Sequence, residues 1–106
     1  SFKHKNSHLT KIINYIENHY ADNLSLSALA TRFSLSQSYI VRIFRKELYC
    51  KPSEYVNKIR ISVAKTLLAQ TNLSVSEIAE KVGFLDVYYF SKVFKKYTGL
   101  TPKQYR

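Results

Sequence analysis

An internal repeat constrains the fold of this chain more than any other feature of its sequence. Residues 25–30 (Ser-Leu-Ser-Ala-Leu-Ala) match residues 74–79 (Ser-Val-Ser-Glu-Ile-Ala) at an offset of 49. One extra residue in the second copy then raises the offset to 50, which aligns the pairs Tyr39/Tyr89, Ile40/Phe90, Arg42/Lys92, Ile43/Val93, Phe44/Phe94, Arg45/Lys95, Lys46/Lys96, Pro52/Pro102 and Tyr55/Tyr105. Because the chain has 106 residues, the size of one ordinary domain, both copies belong to a single small domain.

Apolar residues recur three and four positions apart along the chain, which predicts helices and no strand. The stripe of Leu9, Ile12, Ile13, Ile16 and Tyr20 predicts a first helix over about residues 7–20. Residues that favour helix ends mark the other boundaries: Ser25, Ser36, Ser74 and Asp86 as N-caps, Pro52 and Pro102 in first turns, and Gly83 and Gly99 as stops. These signals predict seven helices.

Each copy is thus a short helix, a tight turn and a longer helix with a basic outer face, which is a helix-turn-helix. The expected fold is all-α, with two helix-turn-helix units at about residues 25–48 and 74–98. A long linker helix of about residues 52–70 joins them.

The charge balance indicates a polyanionic partner. Lysine and arginine number 17 against 7 aspartates and glutamates, so the formal net charge is +10. No acidic residue follows Asp86, whereas Lys92, Lys95, Lys96, Lys103 and Arg106 do. This uneven placement disfavours the alternative that the charges serve only solubility.

Other features limit the class of protein. The longest apolar runs have three or four residues, far short of the roughly 20 that span a membrane. One cysteine, Cys50, cannot form an internal disulfide, and no secretory leader is recognisable, so we expect a cytoplasmic protein without a membrane partner. The chain lacks Met and begins at Ser1, which we interpret as a piece of a longer protein.

The outward faces of the two longer helices carry the candidate DNA-binding residues, because the second helix of a helix-turn-helix lies in the major groove. Arg42 can pair bidentately with guanine, Gln37 can make two hydrogen bonds to adenine, and a valine can contact a thymine methyl. A serine cap lets phosphate approach a helix start, whereas an aspartate cap repels it. The candidates are Ser36, Gln37, Ser38, Val41, Arg42 and Arg45, then Val87, Tyr88, Ser91, Lys92 and Lys95.

Two alternatives apply to these residues. They could be merely the solvated faces of amphipathic helices, although two valines expected to be exposed and a basic face that occurs twice argue against it. Tyr88 could instead lean back onto the core.

Residues 74–96 (Ser-Val-Ser-Glu-Ile-Ala-Glu-Lys-Val-Gly-Phe-Leu-Asp-Val-Tyr-Tyr-Phe-Ser-Lys-Val-Phe-Lys-Lys) resemble the signature of the AraC/XylS family of bacterial transcription regulators. The resemblance continues through Gly99-Leu100-Thr101-Pro102 to Tyr105-Arg106 and covers about residues 7–106, with residues 1–6 as a flexible linker remnant. It implies a homeodomain-like, duplicated DNA-binding domain with recognition helices in adjacent major grooves. The implied base-reading positions are Ser38, Val41, Arg42, Val87, Tyr88, Ser91 and Lys92.

The resemblance also implies binding partners and a further domain outside this sequence. Double-stranded operator DNA and RNA polymerase are the expected partners. A dimerisation, effector or receiver domain is expected in the missing part of the chain. The linker helix would be about 27 Å long, which suits recognition helices near one DNA turn, about 34 Å, apart.

The sequence departs from the family pattern at the end of the first recognition helix, where Tyr49 replaces the usual glycine and Gly99 keeps it. A positive φ at Tyr49 would cost about 1 kcal/mol or more, so we expect the local turn to differ from the one that a glycine makes. Val41 and Val87 also stand where polar residues are common, which shifts the expected preference toward A·T-rich sites.

Catalysis and cofactor binding are not indicated. His4 and His8 have the spacing of two metal ligands, but no further ligands accompany them. The acidic residues form no catalytic pair, and two glycines cannot build a phosphate-binding loop. We therefore expect no enzyme activity, cofactor or metal. The remaining alternatives are a non-specific basic nucleic-acid-binding protein, a membrane-surface helical protein and a protein–protein adaptor.

Overall fold

The computed structural model describes residues 6–106, which form seven α-helices and no strand. The helices are α1 Ser7–Asn18, α2 Leu26–Phe33, α3 Gln37–Leu48, α4 Pro52–Gln70, α5 Val75–Val82, α6 Val87–Thr98 and α7 Pro102–Tyr105. The predicted all-α class, helix number and linker helix are confirmed over this range. Among these residues, no helix combines the length and the apolar composition needed to cross a membrane.

The beginning of the chain differs from the expectation in two places. Residues 1–5, which include His4 and most of the expected linker remnant, lie outside the described residues. Asn6 is part of the fold, because its side-chain oxygen accepts a hydrogen bond from the Leu9 N–H at 3.1 Å and so caps α1. The far end of α1 lies at Asn18 rather than near Tyr20, since His19 leaves the helical conformation at φ −136°.

The predicted caps form hydrogen bonds that define the helix starts. Ser25, Ser36 and Asp86 each accept from a backbone N–H within the first turn of the helix that follows. Ser74 and Glu77 form a reciprocal capping box at α5, and Thr101 and Gln104 form a second box at α7.

The chain divides within α4 into two compact units, between Val56 and Asn57. The first unit contains α1, α2, α3 and the first residues of α4. Its core is made of residues with almost no exposure: Leu9, Ile12, Ile16, Leu29, Ile40 and Phe44. The ring of Phe44 meets that of Tyr55 edge-on, with the centroids 5.8 Å apart. This packing ties the recognition helix α3 to the start of α4.

The second unit contains the rest of α4 with α5, α6 and α7. Phe90 packs between the rings of Phe84 and Phe94, at centroid distances of 5.2 and 5.8 Å. Phe94 in turn meets Tyr105 of α7 at 5.3 Å. Arg106 donates to the carbonyl of Leu68 at 3.2 Å, so the end of the described chain is held against α4.

Candidate nucleic-acid interface

The two helix-turn-helix units make the same chain reversal with turns of different length. Ser34 and Gly83 take the left-handed conformation, with φ 54° and 107°. The next N–H then reaches back to the preceding helix, from Leu35 to Ala30 at 3.0 Å and from Phe84 to Ala79 at 2.9 Å.

Leu35 and Phe84 therefore hold equivalent places in the two turns. The cap Ser36 follows Leu35 directly, whereas Leu85 stands between Phe84 and the cap Asp86. Leu85 is the extra residue that shifts the repeat offset.

The two recognition helices start with different charges. The Ser36 hydroxyl accepts from the Tyr39 N–H at 3.1 Å, and an Asp86 carboxylate oxygen accepts from the Tyr88 N–H at 2.8 Å. Because a helix amino end carries partial positive charge, Asp86 neutralises the start of α6 and repels phosphate there. The start of α3 keeps its positive character.

Four of the outward residues predicted on α3 are exposed as expected. Gln37, Ser38, Arg42 and Arg45 are exposed. The Arg42 guanidinium lies 5.3 Å from the centre of the Tyr39 ring, a distance at which a cation is attracted to an aromatic face.

Arg42 also depends on a contact that the sequence analysis missed. The Tyr39 hydroxyl accepts a hydrogen bond from Asn6 Nδ2 at 2.9 Å. The ring beneath Arg42 is thus fixed to the cap of α1. No sequence signal for this contact existed beyond the Tyr39/Tyr89 match of the repeat.

The outward face of α6 carries Tyr88, Lys92 and Lys95, all exposed. Tyr88 has 83% of its surface exposed and does not lean onto the core. Its neighbour Tyr89 is held at two points: the ring lies 5.9 Å from that of Phe84, and the hydroxyl accepts from Asn57 Nδ2 at 3.4 Å. Tyr89 is therefore a positioning residue of α6, as Tyr39 is of α3.

The expected exposure of the valines is wrong. Val41 and Val87 are half-buried, and so is Ser91. Each stands three positions before a buried phenylalanine (Phe44, Phe90 and Phe94), so it lies at the edge of the packed stripe of its helix. Only part of each side chain is available to a ligand.

The turn at Tyr49 does not differ from the glycine turn as expected, because Tyr49 takes the left-handed conformation, with φ 56°. Its N–H donates to the Arg45 carbonyl at 3.2 Å, and its side chain is 89% exposed. Gly99 makes the equivalent bond to Lys95 at 2.8 Å with φ 84°. Tyr49 ends α3 as a glycine would and accepts the strain of a side chain in that conformation.

The electrostatics of the two faces are almost purely cationic. α6 contains no acidic residue, and α3 contains only Glu47. No group of three or more potential metal ligands occurs among residues 6–106.

Among the residues that the structure describes, the surroundings shift the pKa values of Glu77, Arg60 and Tyr55. Hydrogen bonds from Ser74 lower the pKa of Glu77, and burial lowers the pKa of Arg60. Burial, reinforced by Glu17 and Cys50, raises the pKa of Tyr55.

Comparison with protein families identifies the arrangement. The model of a helix-turn-helix domain family matches residues 29–106. Among solved structures, a transcriptional regulator of Chromobacterium violaceum described as an AraC-type DNA-binding domain-containing protein is 28% identical, with a TM-score of 0.83 and coverage of 93% of this chain and 88% of that one. The chain belongs to the AraC-type helix-turn-helix family. It is a DNA-binding domain of the kind found in bacterial transcription regulators.

Two further similarities set this AraC-type domain in context. The C-terminal domain of the two-component response regulator yesN of Fusobacterium nucleatum is 42% identical, with a TM-score of 0.89 and coverage of 95% of this chain and 99% of that one. The uncharacterised HTH-type transcriptional regulator YisR of Bacillus subtilis is 37% identical over 92 residues, which are 87% of this chain and 32% of YisR. The chain thus spans about a third of the length of this relative.

Proposed function

We propose that residues 7–106 form one domain that binds double-stranded DNA at specific sequences, with α3 and α6 as recognition helices, and that this binding regulates transcription. One observation carries the proposal. Each unit buries one side of its second helix completely and turns a nearly acid-free cationic side to solvent.

The chemistry of the two faces supports base reading in addition to phosphate binding. Arg42 presents a fork of donors that matches the O6 and N7 acceptors of guanine, and the Tyr39 ring restricts where that fork points. Gln37 and Ser38 stand in the first turn of α3, the part of a recognition helix that reaches base edges. Arg45 and Lys95 lie further along their helices, where phosphate contacts are expected.

The test is selection from a random duplex library of about 30 base pairs, long enough for two half-sites one helical turn apart. Performed at near-physiological salt, it should enrich two short motifs about ten base pairs apart, as recognition helices in adjacent major grooves require. A single motif would restrict base reading to one unit. Equal binding of unrelated duplexes, lost as salt rises, would overturn the proposal in favour of non-specific binding.

The remaining proposals concern the whole protein. The chain spans about a third of the length of its relative YisR. We therefore propose that another part of the protein contains a further domain, which dimerises, senses an effector or acts as a receiver. RNA polymerase is the proposed target through which the bound domain acts, in the bacterial cytoplasm. Retention of RNA polymerase on operator DNA by the complete regulator, but not on a scrambled operator, would test this step.

A further inference from the structure

The extra residue in the second turn places a leucine in solvent. Leu85 is fully exposed, although it stands directly before the cap of α6. A residue at this position often packs onto the helix that it precedes. Phe84 makes that contact instead, because it is buried and its ring lies 5.2 Å from that of Phe90. Leu85 therefore contributes nothing to the core of its unit.

Leu85, Val87 and Tyr88 lie at the amino end of α6, and we call these three residues the α6 tip. Tyr88 is 83% exposed and Val87 is half-buried. The first unit has polar residues in the equivalent helical positions, Gln37 and Ser38. The two recognition helices thus differ in chemistry at the end that reaches base edges.

Two features of α6 and one feature of DNA indicate what binds the α6 tip. Lys92 and Lys95 are exposed further along the same helix, and their positive charge is complementary to nucleic acid. Asp86 repels phosphate from the helix start, so contacts made there are directed to base edges. The thymine methyl is the apolar group that base edges present in the major groove.

We propose that the α6 tip recognises thymine through its 5-methyl group. The second unit then reads its half of the DNA site by apolar contact, whereas the first unit reads its half by hydrogen bonds. Leu85 is the specificity-determining residue that the second turn adds. This inference rests on the proposed DNA-binding function.

The first experiment replaces thymine by deoxyuridine, which removes only the methyl group, in the site that library selection gives for the 106-residue chain. Replacing any one thymine that the α6 tip contacts should weaken binding about fourfold, because one buried methyl group is lost. The same replacement in the α3 half-site should change affinity little and is the internal control. Library selection with the Arg42→Ala variant shows which of the two motifs is the α3 half-site, because only that motif should change.

The second experiment combines the DNA change with Leu85→Ala. This variant should bind the thymine site about fourfold more weakly and should no longer distinguish thymine from deoxyuridine at one position. Leu100→Ala is the matched control, since Leu100 is a 44% exposed leucine beyond the other end of α6. It should retain the full penalty for deoxyuridine.

The outcomes separate this inference from the function on which it rests. Failure to select any sequence would overturn the proposed function itself. A selected site whose α6 half tolerates deoxyuridine would overturn only the methyl recognition. Unchanged DNA affinity in Leu85→Ala would also overturn the methyl recognition. The exposed leucine would then be a candidate contact for a protein partner.

Discussion

Phe44 of the first unit and Phe94 of the second are equivalent residues of the repeat, and both are completely buried. The ends of the two recognition helices are not equivalent. Ser36 corresponds to Asp86 and Tyr49 to Gly99, and Leu85 has no counterpart. A change in the buried face would open a cavity or overpack the core, whereas a change at an exposed end alters mainly what the helix meets outside. The repeat has therefore kept its packing and diverged in its contacts.

The largest effect is expected from opening a cavity in either unit. Phe44→Ala and Phe94→Ala should each lower the free energy of unfolding by about 3–5 kcal/mol. Because the units are compact by themselves, amide hydrogen exchange should accelerate first in the mutated unit. Tyr88→Ala, at an exposed aromatic residue, is the control and should leave exchange nearly unchanged. Equal acceleration in both units would show that they unfold together, and separate stabilities could then not be assigned to the two units.

The next effect distinguishes base reading from phosphate binding. Arg42→Ala should cost about 1–3 kcal/mol of binding energy on the preferred site and relax specificity at one base pair. Lys95→Ala should weaken all duplexes alike and reduce the slope of log K against log salt by about one. Binding isotherms at several salt concentrations measure both effects.

Arg42→Lys sharpens this prediction, because it keeps the charge and removes the planar fork. It should lose specificity as Arg42→Ala does while retaining more of the salt dependence. If Arg42→Ala weakened binding to every sequence equally, Arg42 would contact the phosphate backbone and not a base.

Most of the fold was predictable because it depends on local signals. Ser25, Ser74 and Gly83 act at helix ends through bonds to nearby backbone, and the predicted roles of all three are confirmed. The conformation of Tyr49 was not predicted, because the cost of a side chain at positive φ indicated a different local turn, whereas an αL residue ends both recognition helices.

The candidate interface was harder to predict because exposure and positioning depend on tertiary contacts. Val41 was expected to be exposed, but its place three residues before Phe44 puts it at the edge of the core. The hydrogen bond from Asn6 to Tyr39 joins residues 33 positions apart, and no periodicity encodes it. The base-reading roles of the candidate residues stay predictions.

A third test exchanges the residues that end the recognition helices. Gly99→Ala should lower stability by about 1 kcal/mol, because φ 84° strains any side chain. Beyond the two neighbouring residues, no heavy atom lies within 4 Å of the added Cβ, so the loss of stability comes from the backbone conformation.

Tyr49→Gly should have the opposite and smaller effect, a gain of about 0.5 kcal/mol, since relief of strain is partly offset by the greater entropy of the unfolded chain. Thermal unfolding of both variants measures the two changes in stability. A loss of stability in Tyr49→Gly would mean that the tyrosine makes a stabilising contact despite its 89% exposure.

The smallest effect is a pH dependence confined to the second unit. The Glu77 carboxylate accepts from the Ser74 N–H at 3.0 Å, and hydrogen bonds from Ser74 lower its pKa below the ordinary value of 4.5. A lowered folded-state pKa means that the stabilisation is complete above about pH 4.5 and is lost as the pH falls through the lowered value. The unfolding midpoint should therefore decline in that acid range.

Glu77→Gln is the matched control for this decline, and the chain already contains its counterpart. The box at α7 uses Gln104, which accepts from the Thr101 N–H at 2.9 Å and does not titrate. The variant should keep the box and lose that part of the pH dependence which comes from Glu77. If the variant declined in acid as steeply as the natural chain, the dependence would belong to other carboxylates, and the two boxes would be equivalent in spite of their different charge.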